Sequence, residues 1–209
     1  MKFIVLEGPD GSGKTTLANS LVEYFNQNTS YQAKYVSPLD DETIGKPIKS
    51  LITQAKGAID GYRQTEIALI VASMIGMLEK HGTDDEDMVL ICDRWILSTY
   101  VYQAIAKEQP IQLIQQWVEL VNKLRQPDLV LVLDLPDEKL DERMQKRGID
   151  KNDKFEAKEF QARVRQGYRN YGVYHHVESA KTKVKTIQME DDLQANHAKL
   201  LSEIIRTVF

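Results

Sequence analysis

Three runs of the chain are continuously apolar and rich in β-branched residues: Phe3 to Leu6, Met88 to Cys92 and Leu129 to Leu133. Hydrophobicity that runs on without alternating marks strands covered on both faces, as in a parallel sheet. Weaker strand patterns lie at Ala33 to Ser37 and Val184 to Ile187. Helix-length patterns fill the intervals, over Lys14 to Asn26, Thr65 to Lys80, Ile111 to Leu124, Asp137 to Arg147, Phe155 to Tyr174 and Asp192 to Thr207. Strands alternating with helices predict an α/β fold, a three-layer αβα arrangement around a doubly wound five-stranded parallel sheet. Ligands of such sheets bind beyond the carboxyl ends of the strands. Chemistry is therefore expected at Glu7 to Thr16, at Asp93-Arg94 and at Asp134-Leu135-Pro136.

At 209 residues, with no Pro/Gly/Ser-rich linker, the chain is expected to form a single domain over 1–209. The net charge of −4 argues against a dedicated nucleic-acid binder, so positive charge for phosphate chemistry must be local. Cys92 is the sole cysteine, which excludes an internal disulfide and a multi-cysteine metal site. It reads as a core thiol. The chain passes from Met1-Lys2 straight into a strand pattern, so no targeting segment is expected and the cytoplasm is the expected compartment. The longest apolar stretch, Ile67 to Leu78, is too short to span a bilayer. It reads equally as a core helix or as a surface on which two copies pair.

One segment carries a specific chemistry. Gly8-Pro9-Asp10-Gly11-Ser12-Gly13-Lys14-Thr15 matches the P-loop pattern, with a buried strand before it and a helix after it. Glycines at these positions allow backbone N–H groups to turn inward on an anion, and the helix adds its N-terminal partial charge. Lys14 can bridge the outer phosphates of a nucleoside triphosphate while the Thr15 hydroxyl sits on Mg²⁺. Asp10 could equally be a turn-stabilising residue.

Asp93 and Arg94 fall at the same sheet edge. Asp93 could hold a Mg²⁺-bound water or orient Lys14, and Arg94 could take a phosphate bidentately. A surface ion pair between the two is the plain alternative. Between 143 and 156 lie Arg143, Lys146, Arg147, Lys151 and Lys154, a basic segment suited to a lid over a triphosphate. The alternative is a solvated helix face whose charges pair with Asp141, Glu142 and Asp153.

Together these blocks resemble the thymidylate kinase family of P-loop nucleoside monophosphate kinases. The resemblance rests on the P-loop preceded by Glu7 and containing Asp10, on Asp93-Arg94-Trp95 with Ser98 and Tyr102-Gln103, on Pro127-Asp128-Leu129 entering the fourth strand, and on Arg143-x-x-x-Arg147-Gly148, Asp153-Lys154-Phe155-Glu156 and Arg163-Val164-Arg165-x-Gly167-Tyr168. It implies ATP and Mg²⁺, with the donor phosphates on Gly8, Pro9, Asp10, Gly11, Ser12, Gly13, Lys14, Thr15 and Thr16, and with Arg143 in reach. Thr15 and Asp93 are the implied metal residues. Asp10 would touch the acceptor sugar, Arg94 would clamp its phosphate, and Ser98, Tyr102 and Gln103 would line its pocket. With no extra basic side chain in the P-loop, Arg147 and Lys154 are the implied assisting cations. The resemblance also implies a homodimer, and adenine near Gln188 to Asp192.

Two departures stand out. Where the family presents a phenylalanine and, four residues on, an arginine to the base, this chain has Ile70 and Met74. Both stay on one helix face, yet methionine donates no hydrogen bond. The stretch Ser37-Pro38-Leu39-Asp40-Asp41 lacks an arginine the family often supplies, leaving Lys49 as the nearby basic residue. The expected reaction is transfer of the γ-phosphoryl of ATP to dTMP. Another nucleotide or a nucleoside as acceptor, and an ATP-binding switch without transfer activity, stay open.

Overall fold

A computed structural model describes residues 1–53, 59, 61–148 and 157–209. Among these, five strands form one parallel sheet: β1 (Lys2–Glu7), β2 (Gln32–Val36), β3 (Met88–Asp93), β4 (Leu129–Asp134) and β5 (Lys183–Gln188). Their order is β2-β3-β1-β4-β5. The chain places β2 beyond β3 and later crosses β1 to build β4. The connections that leave the neighbours β1 and β3 therefore run in opposite directions, and a crevice opens at the carboxyl ends of these two strands. Asp128 sets the depth of β1, since its carboxylate accepts the Phe3 N–H at 2.7 Å while its own N–H donates to the Phe3 carbonyl.

Strand residues alternate between two cores, which is why the runs carry no polar positions. Phe3 and Val5 join Leu90, Cys92, Val130 and Val132 on one face. There they meet α2 (Gly45–Thr53), α3 (Arg63–His81), α4 (Ile96–Thr99), α5 (Ile111–Leu124) and α7 (Lys158–Arg169). Ile4 and Leu6 join Val89, Ile91, Leu129, Leu131 and Leu133 on the other. That face is covered by α1 (Lys14–Asn28), α6 (Asp137–Arg147) and α8 (Leu193–Val208), through Leu17, Leu21, Leu140, Leu200 and Ile204. Fully burying one such side chain contributes about 1.5–3 kcal/mol. α5 shows the helical version of the rule, its buried Ile114, Val118 and Val121 recurring at four- and three-residue steps.

The helix patterns hold with three differences. α2 went unpredicted because it is short and opens on Gly45-Lys46-Pro47, yet it buries Ile48 and Ile52 one turn apart. The segment after Arg94 is also helical: α4 widens into a π-helical stretch, Tyr100–Ala106. The pattern over Phe155 to Tyr174 begins outside the described residues, and α7 stops at Arg169. The Asn170 side chain accepts the Gly172 N–H at 3.1 Å, diverting the backbone into a 3₁₀ turn, Tyr171–His176. In α3, the side chains of Ile67, Ile70, Val71, Met74, Met77 and Leu78 are buried in the core. Cys92 lies there too, its thiol raised by burial and donating to the Arg94 carbonyl at 3.2 Å. Among the described residues no helix is long and apolar enough to cross a membrane.

Candidate active site

The loop after β1 is shaped by close approach. A Cβ on Gly8 would stand 2.8 Å from the Leu133 carbonyl oxygen, and Gly13 sits at φ 91, a left-handed conformation that side chains resist. Gly13 also brings no side chain to cap α1. The helix thus begins with its partial positive charge directed at the crevice. Lys14 Nζ donates to the carbonyls of Gly8 at 3.1 Å and Pro9 at 2.9 Å and to Ser12 Oγ at 3.3 Å. Burial, with the Arg94 charge adding to it, pulls this ammonium down to about 8. An incoming polyphosphate would reverse that balance by supplying counter-charge.

Thr15, on the first turn of α1, donates from Oγ1 to Asp93 Oδ2 across 2.6 Å. The second carboxylate oxygen, Asp93 Oδ1, is buried with no hydrogen-bond partner among the described residues. A hydroxyl and an unsatisfied carboxylate side by side are hard oxygen donors of the kind Mg²⁺ accepts while keeping several waters. The residues fit that ion. Asp93 bonds Thr15 here rather than Lys14, and no ion pair with Arg94 forms.

Arg94 turns the other way. Its backbone holds φ 70, a conformation rare outside glycine, secured by its N–H on the Leu6 carbonyl at 3.0 Å. Nη2 donates to Asp10 Oδ1 at 2.5 Å, and the guanidinium covers the Tyr102 ring at 5.1 Å. Asp10 Oδ2 accepts from Tyr102 at 3.2 Å and from Gln161 at 3.0 Å. Asp10 therefore does more than stabilise a turn. Burial would raise its carboxyl, but the Arg94 and Lys14 charges, the Gln161 bond and the Arg147 charge hold it well below the usual range.

Behind Arg94 lies Glu7, fully buried at the end of β1. Its Oε1 accepts the N–H groups of Trp95 at 2.8 Å and Ser98 at 3.0 Å, capping the turn after Arg94. Its Oε2 accepts the hydroxyls of Ser98 at 2.5 Å and Tyr168 at 2.9 Å. Arg94 Nη1 in turn donates to both hydroxyls, at 3.2 and 3.0 Å. Burial raises the Glu7 carboxyl, and its hydrogen bonds and the Arg94 charge offset only part of that.

A cleft of about 660 Å³ is lined by Asp10, Lys14, Thr15, Asp93 and Arg94. Ile70 and Met74 wall one end, beside Ser98, Tyr102 and Gln103. The π-helical stretch sets Tyr102 and Gln103 toward this end, a common use of widened helical turns. The Gln103 amide is engaged on both sides, donating to Glu66 at 3.0 Å and accepting from Gln109 at 2.8 Å. Lys49 lines the cleft but is paired with Asp40 at 2.7 Å. At the other end Arg143 reaches the Gly11 carbonyl at 3.3 Å and Arg147 lines the wall, with Asp191 and Asn196 nearby. Asp141 pairs with Arg165 at 2.6 Å and Glu142 lies 3.7 Å from Lys139, while Asp153, the third carboxylate of the solvated-face alternative, lies outside the described residues. Lys151 and Lys154 lie outside the described residues.

The sequence reading missed Gln161 as an Asp10 ligand, and left Glu7 and Tyr168 as motif letters without a contact. Gln161 reaches Asp10 across 151 residues of chain, and no local pattern announces such a pair.

A sheet in this order, with a phosphate loop after its central strand and a carboxylate–hydroxyl pair at the next strand end, defines a P-loop nucleotide-binding protein. Comparison with known proteins narrows that class. The sequence model of the family described as thymidylate kinase matches residues 6–200, and the chain belongs to this family of kinases. It is 32% identical over 167 residues to a "probable thymidylate kinase" of Methanobrevibacter smithii, covering 79% of this chain and 78% of that one. With the thymidylate kinase of Clostridium novyi it shares 34% identity over 173 residues, covering 79% and 82%. The solved thymidylate kinase of Candida albicans has the same fold, with a TM-score of 0.70 at 22% identity over 98% of this chain and 91% of that one.

Proposed function

We propose that the protein transfers the γ-phosphoryl group of ATP to the 5′-phosphate of dTMP, giving ADP and dTDP. The observation that carries this reading is the Asp10–Arg94 pair, which stands between the P-loop and the pocket walled by Ile70 and Met74. A protein that only binds and hydrolyses ATP has no use for a second phosphate clamp.

The chemistry is positioning and charge neutralisation. Backbone N–H groups from Gly11 to Thr16 and the Lys14 ammonium hold the donor phosphates. Thr15 and Asp93 would hold Mg²⁺, which would supply charge neutralisation at the donor phosphates. Arg94 takes the acceptor phosphate in line with the donor, Asp10 accepts from the acceptor sugar, and Tyr102, Ser98 and Gln103 line its pocket. Arg143 and Arg147 supply cations at the transferring group, and Lys154 is assigned the same role by its place in the family pattern. A cytoplasmic homodimer belongs to the same proposal; light scattering on the purified chain reads its mass.

A second reading keeps the reaction and changes the acceptor. It is motivated by the apolar Ile70–Met74 wall, which offers the base no hydrogen-bond donor. Diphosphate formation with ATP, Mg²⁺ and a panel of ribo- and deoxynucleoside monophosphates decides. Turnover of none overturns the kinase reading; a purine or cytosine nucleotide preferred over dTMP overturns the acceptor alone.

A further inference from the structure

We infer that Glu7 is a positioning residue for Arg94, acting through the Ser98 and Tyr168 hydroxyls to aim the guanidinium at the acceptor phosphate. The inference rests on the reaction proposed above and assigns a part in it to three buried groups.

The geometry supplies a complete donor–acceptor accounting. Ser98 and Tyr168 each have one hydroxyl proton, and both lie within hydrogen-bond reach of Glu7 Oε2. Ser98 and Tyr168 also bond each other at 2.7 Å, so with Ser98 donating to Glu7 the Tyr168 proton is shared between Glu7 and Ser98 Oγ; both hydroxyl oxygens keep a lone pair, and Arg94 Nη1 donates to both. Because the two hydroxyls are hydrogen-bonded to each other, neither can rotate without disturbing the other. A negative charge that does not touch Arg94 thus holds it through two intermediaries.

The arrangement has a direction. Glu7 and Tyr168 are buried behind the cleft, Asp10 and Arg94 line it, and Ser98 stands at the boundary, buried yet part of the cleft wall. Had Asp10 been the sole anchor, the guanidinium would follow that carboxylate and be neutralised by it. Gripped from the buried side through Nη1, it keeps its Nη2 edge presented when Asp10 turns to the acceptor. Charge-assisted hydrogen bonds of this kind are short and directional, which suits them to fixing a planar fork. Tyr168 brings the lid-side helix α7 into the same contact, and Gln161 on that helix reaches Asp10.

Glu7 also caps the backbone after Arg94, so its removal disturbs local structure as well as aim. Tyr168→Phe separates the two: it deletes one relay hydroxyl and leaves the cap untouched. Steady-state kinetics with dTMP and ATP varied independently is the test. The acceptor KM should rise about tenfold in Tyr168→Phe, the loss of one charge-linked hydrogen bond. It should rise further in Glu7→Gln, with the ATP KM within about twofold of native in both and kcat less affected. Tyr174→Phe is the control, because it removes another buried hydroxyl, one that donates to the Tyr168 carbonyl at 2.5 Å and lies 3.4 Å from the Thr186 hydroxyl; it should lower Tm and leave the acceptor KM alone. If Glu7→Gln does not fold, Tyr168→Phe decides. An acceptor KM unchanged in Tyr168→Phe, or raised equally by Tyr174→Phe, overturns the inference while the reaction stands. A native chain that phosphorylates no nucleoside monophosphate overturns both.

Discussion

Thr15 Oγ1 donates to Asp93 Oδ2 at 2.6 Å, joining the first turn of the P-loop helix to the end of β3 across 78 residues of chain. The contact brings the two proposed metal residues together before any ion arrives. Asp93→Asn keeps the shape and removes the charge. The Mg²⁺ concentration giving half-maximal rate should then rise about tenfold or more, since a hard divalent cation depends on ligand charge. A Mg²⁺ titration that superposes on the native one would remove Asp93 from the metal site.

Lys14 gives a proton signature. Its ammonium is pulled down to about 8 by burial and the Arg94 charge, against an ordinary 10.5. Between these values the free protein holds Lys14 neutral, and bound polyphosphate restores its proton. ATP binding should therefore take up protons above about pH 8 and take up none through Lys14 well below it. Calorimetry in buffers of differing ionisation heat measures this, and Lys14→Met should abolish the uptake. The same depression sets a stability trend: from about 8 toward 10.5 the unfolded chain holds the extra proton, so this group adds stability as pH rises.

The base end of the cleft predicts a gain of discrimination. Met74→Arg would return a donor to a wall that has none. Competition between dTMP and dCMP should shift toward dTMP by about tenfold, the scale of one specific polar contact. Met74 is buried, so a drop in Tm is expected alongside. An unchanged ratio would place the base elsewhere in the cleft.

Leu131 tests the sheet. It is fully buried in the central strands, facing the α1, α6 and α8 side. Leu131→Ala should cost about 2–5 kcal/mol in denaturant unfolding, from lost transfer energy and the cavity left behind. A loss below about 1 kcal/mol would mean that α1 and α8 collapse readily onto the sheet.

The strands were legible because two-sided burial leaves a run such as Leu129 to Leu133 no polar position. The P-loop was legible because backbone geometry demands glycine at fixed spacing. Neither condition holds for α2, whose Gly45 and Pro47 read as a loop although Ile48 and Ile52 fasten it. Nor does it hold for Gln161, whose role depends on α7 docking over the P-loop. The family resemblance supplied Arg94 and Ser98 with roles, and the Glu7 carboxylate behind them without one. Glu7 could be seen as a letter before the loop; its four donors come from elements that only the folded sheet brings together.

The groups assigned to phosphate and metal stand on the carboxyl ends of β1 and β3 and on α1 and α6, whereas Ile70 and Met74 belong to α3, a helix that carries none of them. Under the proposed function, substitutions at these two positions would change which base is welcomed while the transfer apparatus stays as it was. On that reading, point substitution on one helix face would be enough to change the acceptor, and the residues that carry the chemistry would not have to change with it.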